Sequence, residues 1–66
     1  MKTRKMAEAV RRRMRRRLLR LWPDSGFSVE WLPSMQVFYI CWGGEPSAEE
    51  VAALYPEARL GRFDRR

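Results

Sequence analysis

The sequence predicts a small α+β domain in the order α-β-β-α, with an antiparallel β-hairpin packed against a long basic helix and a short second helix. Three observations predict it: a helical apolar repeat in the first third, β-rich segments in the middle, and a helix-capping pattern after them. The chain of 66 residues has room for a single domain. Because a chain this short buries only about 60% of its unfolded surface, we expect marginal stability.

The first predicted element is a helix over residues 6–22. Its apolar positions recur at four-residue intervals, which is the spacing of one helical face. They are Met6, Val10, Met14, Leu18 and Trp22. Pro23 follows and stops the helix. Residues 1–5 show no comparable pattern, and we expect them to fray.

Two strands of a hairpin are predicted over residues 27–32 and 35–42. The first alternates strictly between apolar and polar residues, so Phe27, Val29 and Trp31 should point inward. The second is apolar on both faces. Its faces are Phe38, Ile40 and Trp42 on one side and Val37, Tyr39 and Cys41 on the other. Only one of these faces can meet the helices, and the other is either an interaction surface or ordinary exposed apolar surface.

A second helix is predicted over residues 47–55, because Ser47 and Glu50 form a capping box. The side chains expected to reach the core are Val51, Leu54 and Tyr55. The tail that follows has no clear pattern. It contains the apolar residues Leu60 and Phe63, and the sequence does not decide whether they belong to a short C-terminal edge strand.

The charge is divided unevenly along the chain. Residues 1–22 hold ten basic residues against one acidic residue, whereas residues 23–66 hold four against seven. Six of the seven residues from Arg11 to Arg17 are arginine. Arg12, Arg16 and Arg20 lie four apart, so we expect them to form a cationic row on one side of the helix. The sequence leaves open whether the acidic half of the chain neutralises this row.

Composition argues against several classes of protein. With one cysteine, Cys41, and no histidine, the chain offers no disulfide framework and no zinc or haem site, so we expect no cofactor, no metal and no catalytic residue. The longest uncharged run, Trp31 to Gly44, has 14 residues, whereas a membrane-spanning helix needs about 20. We therefore expect no membrane partner, and a cytoplasmic protein.

A series of short motifs follows the basic helix. They are Trp22-Pro23, Gly26-Phe27-Ser28-Val29, Ile40 to Ser47, Val51 and Gly61-Arg62-Phe63-Asp64. This order resembles a class of small domains associated with large polyvalent proteins of phages and conjugative elements. In that class a basic helix ends in Phe-Pro, where this chain has Trp22, and the later turn reads Gly-Pro, where this chain has Gly-Gly-Glu-Pro. The resemblance implies a phage or mobile-element product in a bacterial host cell and assigns no chemistry. It also implies that Phe38, Ile40 and Trp42 form the inward face of the second strand.

The arginine row favours a non-catalytic protein that binds nucleic acid or a nucleic-acid-bound complex. Each guanidinium can contact a phosphate and displace a counterion without reading a base. The expected binding residues are Arg12, Arg13, Arg16 and Arg20. The alternative partner of the row is an acidic protein surface, and a simple solvated face is the third interpretation.

A second class of function is a small inhibitor that binds a host defence complex and occludes its surface, as anti-CRISPR proteins do. Its interface would use Val37, Tyr39 and Cys41, or the arginine row. The same three strand residues could instead pair across a two-fold axis, so the sequence also leaves a homodimer open.

Overall fold

The α+β prediction is confirmed by a computed structural model, which describes the backbone of residues 4–63 and the side chains of residues 5–63. The elements are α1 (Arg4–Leu21), β1 (Ser28–Leu32), β2 (Val37–Gly43), α2 (Ala48–Leu54) and β3 (Arg59–Phe63). Both helices pack on one face of the sheet, and its other face carries no helix. No helix within the described residues combines the length and the apolar composition needed to cross a bilayer.

Helix α1 starts earlier than the sequence predicts. Arg4 and Lys5 are helical rather than frayed, while the expectation for residues 1–3 lies outside the described residues. The helix ends at Leu21, just before Pro23, and the Trp22 amide still donates to the Leu18 carbonyl over 2.9 Å. Gly26 then takes a φ of +63°, a backbone conformation that favours glycine.

The buried face of α1 differs from the predicted face at its first turn. Met6 is 55% exposed, and Ala7 takes the buried position instead. The physical reason is that an α-helix has 3.6 residues per turn, so each four-residue step rotates by about 40° around the axis. From Met6 to Trp22 the rotation reaches about 160°, and both cannot face the core. Met14 and Leu18, in the middle of the repeat, are buried.

The hairpin has the predicted strand pairing and a longer turn. Strand β1 runs antiparallel to β2, with Leu32 opposite Val37. The predicted start of the second strand, at residue 35, is wrong, because residues 33–36 form the turn. The Met35 and Gln36 amides both donate to the Leu32 carbonyl, and Gln36 has a φ of 58°. These two hydrogen bonds close the turn before the pairing of β1 with β2 begins.

Helix α2 begins with the predicted capping box. The Glu50 amide donates to the Ser47 hydroxyl over 3.3 Å, and the Ser47 amide donates back to the Glu50 carboxylate over 3.4 Å. Val51 is fully buried, and Leu54 and Tyr55 pack partly against the core, as the sequence predicts. Ser47 and Tyr55 are the caps of the helix rather than its first and last residues.

The C-terminal edge strand left open by the sequence is present as β3. It pairs with β2 in parallel, with Leu60 beside Ile40 and Gly61 beside Cys41. Strand β2 is therefore central in a three-stranded mixed sheet of order β1-β2-β3. Parallel pairing requires a crossover, and α2 supplies it. The sequence could not specify this pairing, because it joins segments that are separated by a complete helix.

The core lies between the sheet and both helices. Its buried side chains are Met14, Leu18, Phe27, Val29, Ile40, Trp42 and Val51. The Phe27 and Trp42 rings stack with centroids 5.4 Å apart. The buried indole nitrogen of Trp42 donates to the Pro46 carbonyl over 2.8 Å, so its one polar atom is satisfied. The predicted inward face of β2 is the observed inward face.

Candidate nucleic-acid interface

The arginine side chains that the structure describes in α1 fall into two sets. Arg11, Arg15 and Arg17 contact other parts of the fold. The second set is exposed and makes no hydrogen bond or ion pair to any described residue. This set is Arg12, Arg13, Arg16 and Arg20, the residues that the sequence predicts for binding.

Arg11 and Arg15 cover the outer edge of β1. The Arg11 Nη1 atom donates to the Val29 carbonyl over 3.3 Å, and the Arg15 Nε atom donates to the Phe27 carbonyl over 3.1 Å. Carbonyls two residues apart along a strand point the same way, and these two point away from β2. An uncovered edge would offer these groups to another chain. Part of the arginine run therefore has a structural role that the sequence analysis did not find.

Arg11 also holds the one ion pair among the described side chains. Its Nε atom donates to the Glu8 carboxylate over 2.9 Å, and its Nη2 atom contacts the same oxygen. These hydrogen bonds lower the pKa of Glu8 below the ordinary value for glutamate, and the charges of Arg11 and Arg12 act in the same direction. The bond with Glu8 likewise raises the pKa of Arg11. Arg11 therefore stays charged, with Glu8 and the Val29 carbonyl as its hydrogen-bond partners.

Arg17 stands over the ring of Tyr55, with its guanidinium carbon 6.0 Å from the ring centroid. This contact links α1 to the C-terminal cap of α2 across the helix layer. At that distance the attraction between cation and ring is weak. Arg17 therefore belongs to the set with an internal contact.

The exposed set forms a cationic face opposite the core. Successive members of the row Arg12, Arg16 and Arg20 rise about 6 Å along the helix axis and rotate about 40° around it. The row is therefore about 12 Å long and lies on the far side of the helix from Leu18. Lys5 is exposed and precedes Arg12 by seven residues, which places it on the same side of the helix. A shallow groove of about 410 Å³ is lined by Arg11, Arg12, Arg15, Arg16 and Leu19.

The acidic half of the chain does not neutralise this face within the described residues. Glu8–Arg11 is the ion pair found there, and both partners belong to α1. The acidic residues after α1 in that range are exposed and make no ion pair. They are Asp24, Glu30, Glu45, Glu49, Glu50 and Glu57. For residues 5–63 this answers the question that the sequence leaves open: no residue of the acidic half forms an ion pair with the arginine row.

The second set of sequence-predicted residues lies on the helix-free face of the sheet. Val37, Tyr39 and Cys41 alternate along β2, and each is half-buried. The Tyr39 ring lies over Gly61 of β3, where an added Cβ would meet the phenol oxygen at 2.5 Å. The hydrogen bond between Tyr39 and Cys41, together with the charge that the thiol acquires on ionisation, raises the pKa of the phenol. These residues share one face, as predicted, and the Tyr39 ring extends over the neighbouring strand β3.

The described residues contain no group of three or more histidine, cysteine, aspartate or glutamate side chains placed to hold a metal ion.

No family model matches this chain, and comparisons with curated proteins and with solved structures found no significant match. The fold and the arginine face therefore define this molecule only as a small basic α+β protein.

Proposed function

We propose that this protein is a non-catalytic binding protein that engages nucleic acid through the exposed arginine face of α1. One observation carries the proposal: four exposed arginines lie on the solvent side of one helix and form no ion pair with a described acidic residue. Like charges four residues apart oppose helix formation by about 0.2 to 0.5 kcal/mol per pair. A polyanion that binds along the row would relieve this repulsion.

The chemistry of the face supports contacts with phosphates rather than with bases. Arginine pairs well with phosphate, because its planar fork can donate two parallel hydrogen bonds. The face has no aromatic side chain, and non-specific single-strand binding depends on stacking of bases on such side chains. The major groove of B-DNA, about 12 Å wide, accepts an α-helix. We therefore propose duplex DNA as the preferred form, bound without strong sequence preference.

The setting of the proposal comes from the resemblance to mobile-element domains. On that basis we place the protein in the cytoplasm of a bacterial host, as the product of a phage or mobile element. The arginine face itself is independent of this setting.

The test is a titration of a fluorescent DNA duplex of about 20 base pairs over a series of salt concentrations. The logarithm of the binding constant should fall linearly with the logarithm of salt, with a slope of about −0.9 per phosphate contacted. The triple variant Arg12→Gln, Arg16→Gln, Arg20→Gln should bind more weakly, with a slope shallower by about 2.7. Single-stranded DNA and duplex RNA serve as competitors and should compete less well.

A control variant separates the arginine row from net charge. Ser28→Glu, Ser34→Glu and Met35→Glu lower the net charge by the same amount at exposed positions of β1 and the hairpin turn. This control should keep the wild-type salt slope. No binding by the wild-type protein at low salt, or equal loss in both triple variants, would contradict the proposal.

The second candidate is a protein-binding inhibitor of a host defence complex, acting by occlusion of its surface. The observation that favours it is the helix-free sheet face, where Val37, Tyr39 and Cys41 are half-exposed. A pull-down from nuclease-treated host lysate distinguishes the two candidates. Partners that survive nuclease and are lost on Val37→Glu support the inhibitor, whereas partners that are lost with nuclease support nucleic-acid binding.

A further inference from the structure

The two edges of the sheet differ in whether side chains of the fold bond to their outer backbone groups. On the β1 edge, Arg11 and Arg15 donate hydrogen bonds to the carbonyls of Val29 and Phe27. On the β3 edge, residues 59–63 pair with β2 on one side, and no described strand lies on their outer side. Folded proteins usually cover, charge or pair such an edge, because its unpaired backbone groups accept another strand. The β3 edge is therefore the place where a strand from outside this chain would add to the sheet.

The sequence of β3 is complementary to itself in one antiparallel register. When Gly61 lies opposite Gly61 of a second copy, Arg59 lies opposite Phe63 and Leu60 lies opposite Arg62. All five residues of the strand are then paired, and no like charges are opposed. A register centred on Arg62 would place two arginines opposite each other, which is destabilising. One centred on Leu60 would leave Phe63 unpaired.

The side chains at this edge fit the register. Phe63 is 60% exposed, although it is a large apolar residue, and pairing with Arg59 would cover part of its ring. Arg59, Gly61 and Phe63 alternate along the strand and so share the helix-free face with Tyr39. At the centre, the Tyr39 ring fills the space above Gly61. No side chain at Gly61 obstructs the approach of the second copy.

We propose that two copies of this chain associate through β3 in this register, forming a continuous six-stranded sheet across a two-fold axis at Gly61. The axis is perpendicular to the sheet, so both copies of α1 lie on the same side. Five strand spacings separate the two β1 strands by about 24 Å. If the proposed function is correct, the two arginine rows face one duplex together, and the second contact is effectively intramolecular.

The experiment is sedimentation equilibrium of the protein without nucleic acid, from about 1 μM to 1 mM. It is therefore independent of the proposed function. The wild-type chain should show a monomer–dimer equilibrium. In the variant Phe63→Arg, the new arginine of each copy lies opposite Arg59 of the other copy, so dimerisation should weaken about tenfold or more. In Phe63→Glu the new side chain lies opposite the same arginine with the opposite charge, so dimerisation should be retained.

The register is tested by rescue. Arg59→Glu combined with Phe63→Arg restores opposite charges and should restore dimerisation to within about threefold of the Phe63→Glu value. Val37→Arg lies on the same face but outside the β3 pairing, and should leave association unchanged. A strictly monomeric wild type, equal effects of Phe63→Arg and Phe63→Glu, or loss of association in Val37→Arg alone would each overturn the proposal.

Discussion

The Nε atom of Arg15 donates a hydrogen bond of 3.1 Å to the carbonyl oxygen of Phe27. An arginine from the densest basic run of the chain thus covers the backbone just before β1. The neighbouring Arg16 has no such contact within the described residues. Two adjacent residues of the same type therefore have different roles, and the rotation of the helix decides which side chain reaches the sheet edge.

Removal of the Arg15 contact should cost stability. Arg15→Met keeps an unbranched side chain but leaves the Phe27 carbonyl without its donor, and we expect a loss of about 1 kcal/mol in the free energy of unfolding. Arg16→Met is the matched control and should change stability by less than about 0.5 kcal/mol. Urea denaturation of both variants measures the difference. Equal stability in the two variants would show that the edge contact contributes nothing.

The core face of α1 can be tested with two leucines of the same helix. Leu18 is fully buried, whereas Leu21 is 50% exposed. Leu18→Ala should cost about 2 to 5 kcal/mol, enough to unfold much of a domain this small. Leu21→Ala should cost less than about 1 kcal/mol. Thermal unfolding followed by circular dichroism measures both, and comparable losses would mean that the buried face is placed wrongly.

The Glu8–Arg11 pair predicts a dependence of stability on pH. Because folding lowers the pKa of Glu8, the pair stabilises the fold fully above the unfolded pKa, and this stability is lost as pH falls through the folded pKa. A carboxyl-carbon NMR titration should therefore place the Glu8 midpoint below that of an unfolded peptide.

Two variants check the cause of that shift. Arg11→Gln should raise the titration midpoint of Glu8 toward the peptide value, because the hydrogen bond from Arg11 is the largest cause of the lowered pKa. Glu8→Gln should reduce the loss of stability on acidification, whereas Glu57→Gln, at an exposed position, should leave it unchanged. A Glu8 midpoint at or above the peptide value would contradict the structure.

The close approach of Tyr39 to Gly61 predicts a steric coupling. Gly61→Ala places a Cβ 2.5 Å from the phenol oxygen and 3.1 Å from the ring carbon that carries it, so the ring must move. We expect a cost of about 1 kcal/mol or more from overpacking. In a Tyr39→Ala background the same change should be nearly neutral. A double-mutant cycle measures the coupling, and additive effects would contradict this contact.

Much of the fold follows from local patterns in the sequence. Strict alternation from Phe27 to Trp31 predicts the first strand and its buried face, and the Ser47–Glu50 pair predicts the start of α2. Both signals act over a few residues. The parallel pairing of β3 could not be predicted in this way, because Leu60 and Ile40 are far apart in sequence and the crossover between them leaves no periodic signal.

The sequence by itself determined that the first helix is amphipathic and strongly basic, and that Arg12, Arg16 and Arg20 share one side. The tertiary structure decided which groups the side chains of this helix contact. It placed Arg11 and Arg15 on the edge of β1. It buried Ala7 rather than Met6 in the core, and it left the arginine row without an ion pair to any described residue. The physical reason is that helical rotation fixes the side on which a side chain lies, whereas its contacts depend on strands placed by distant parts of the chain.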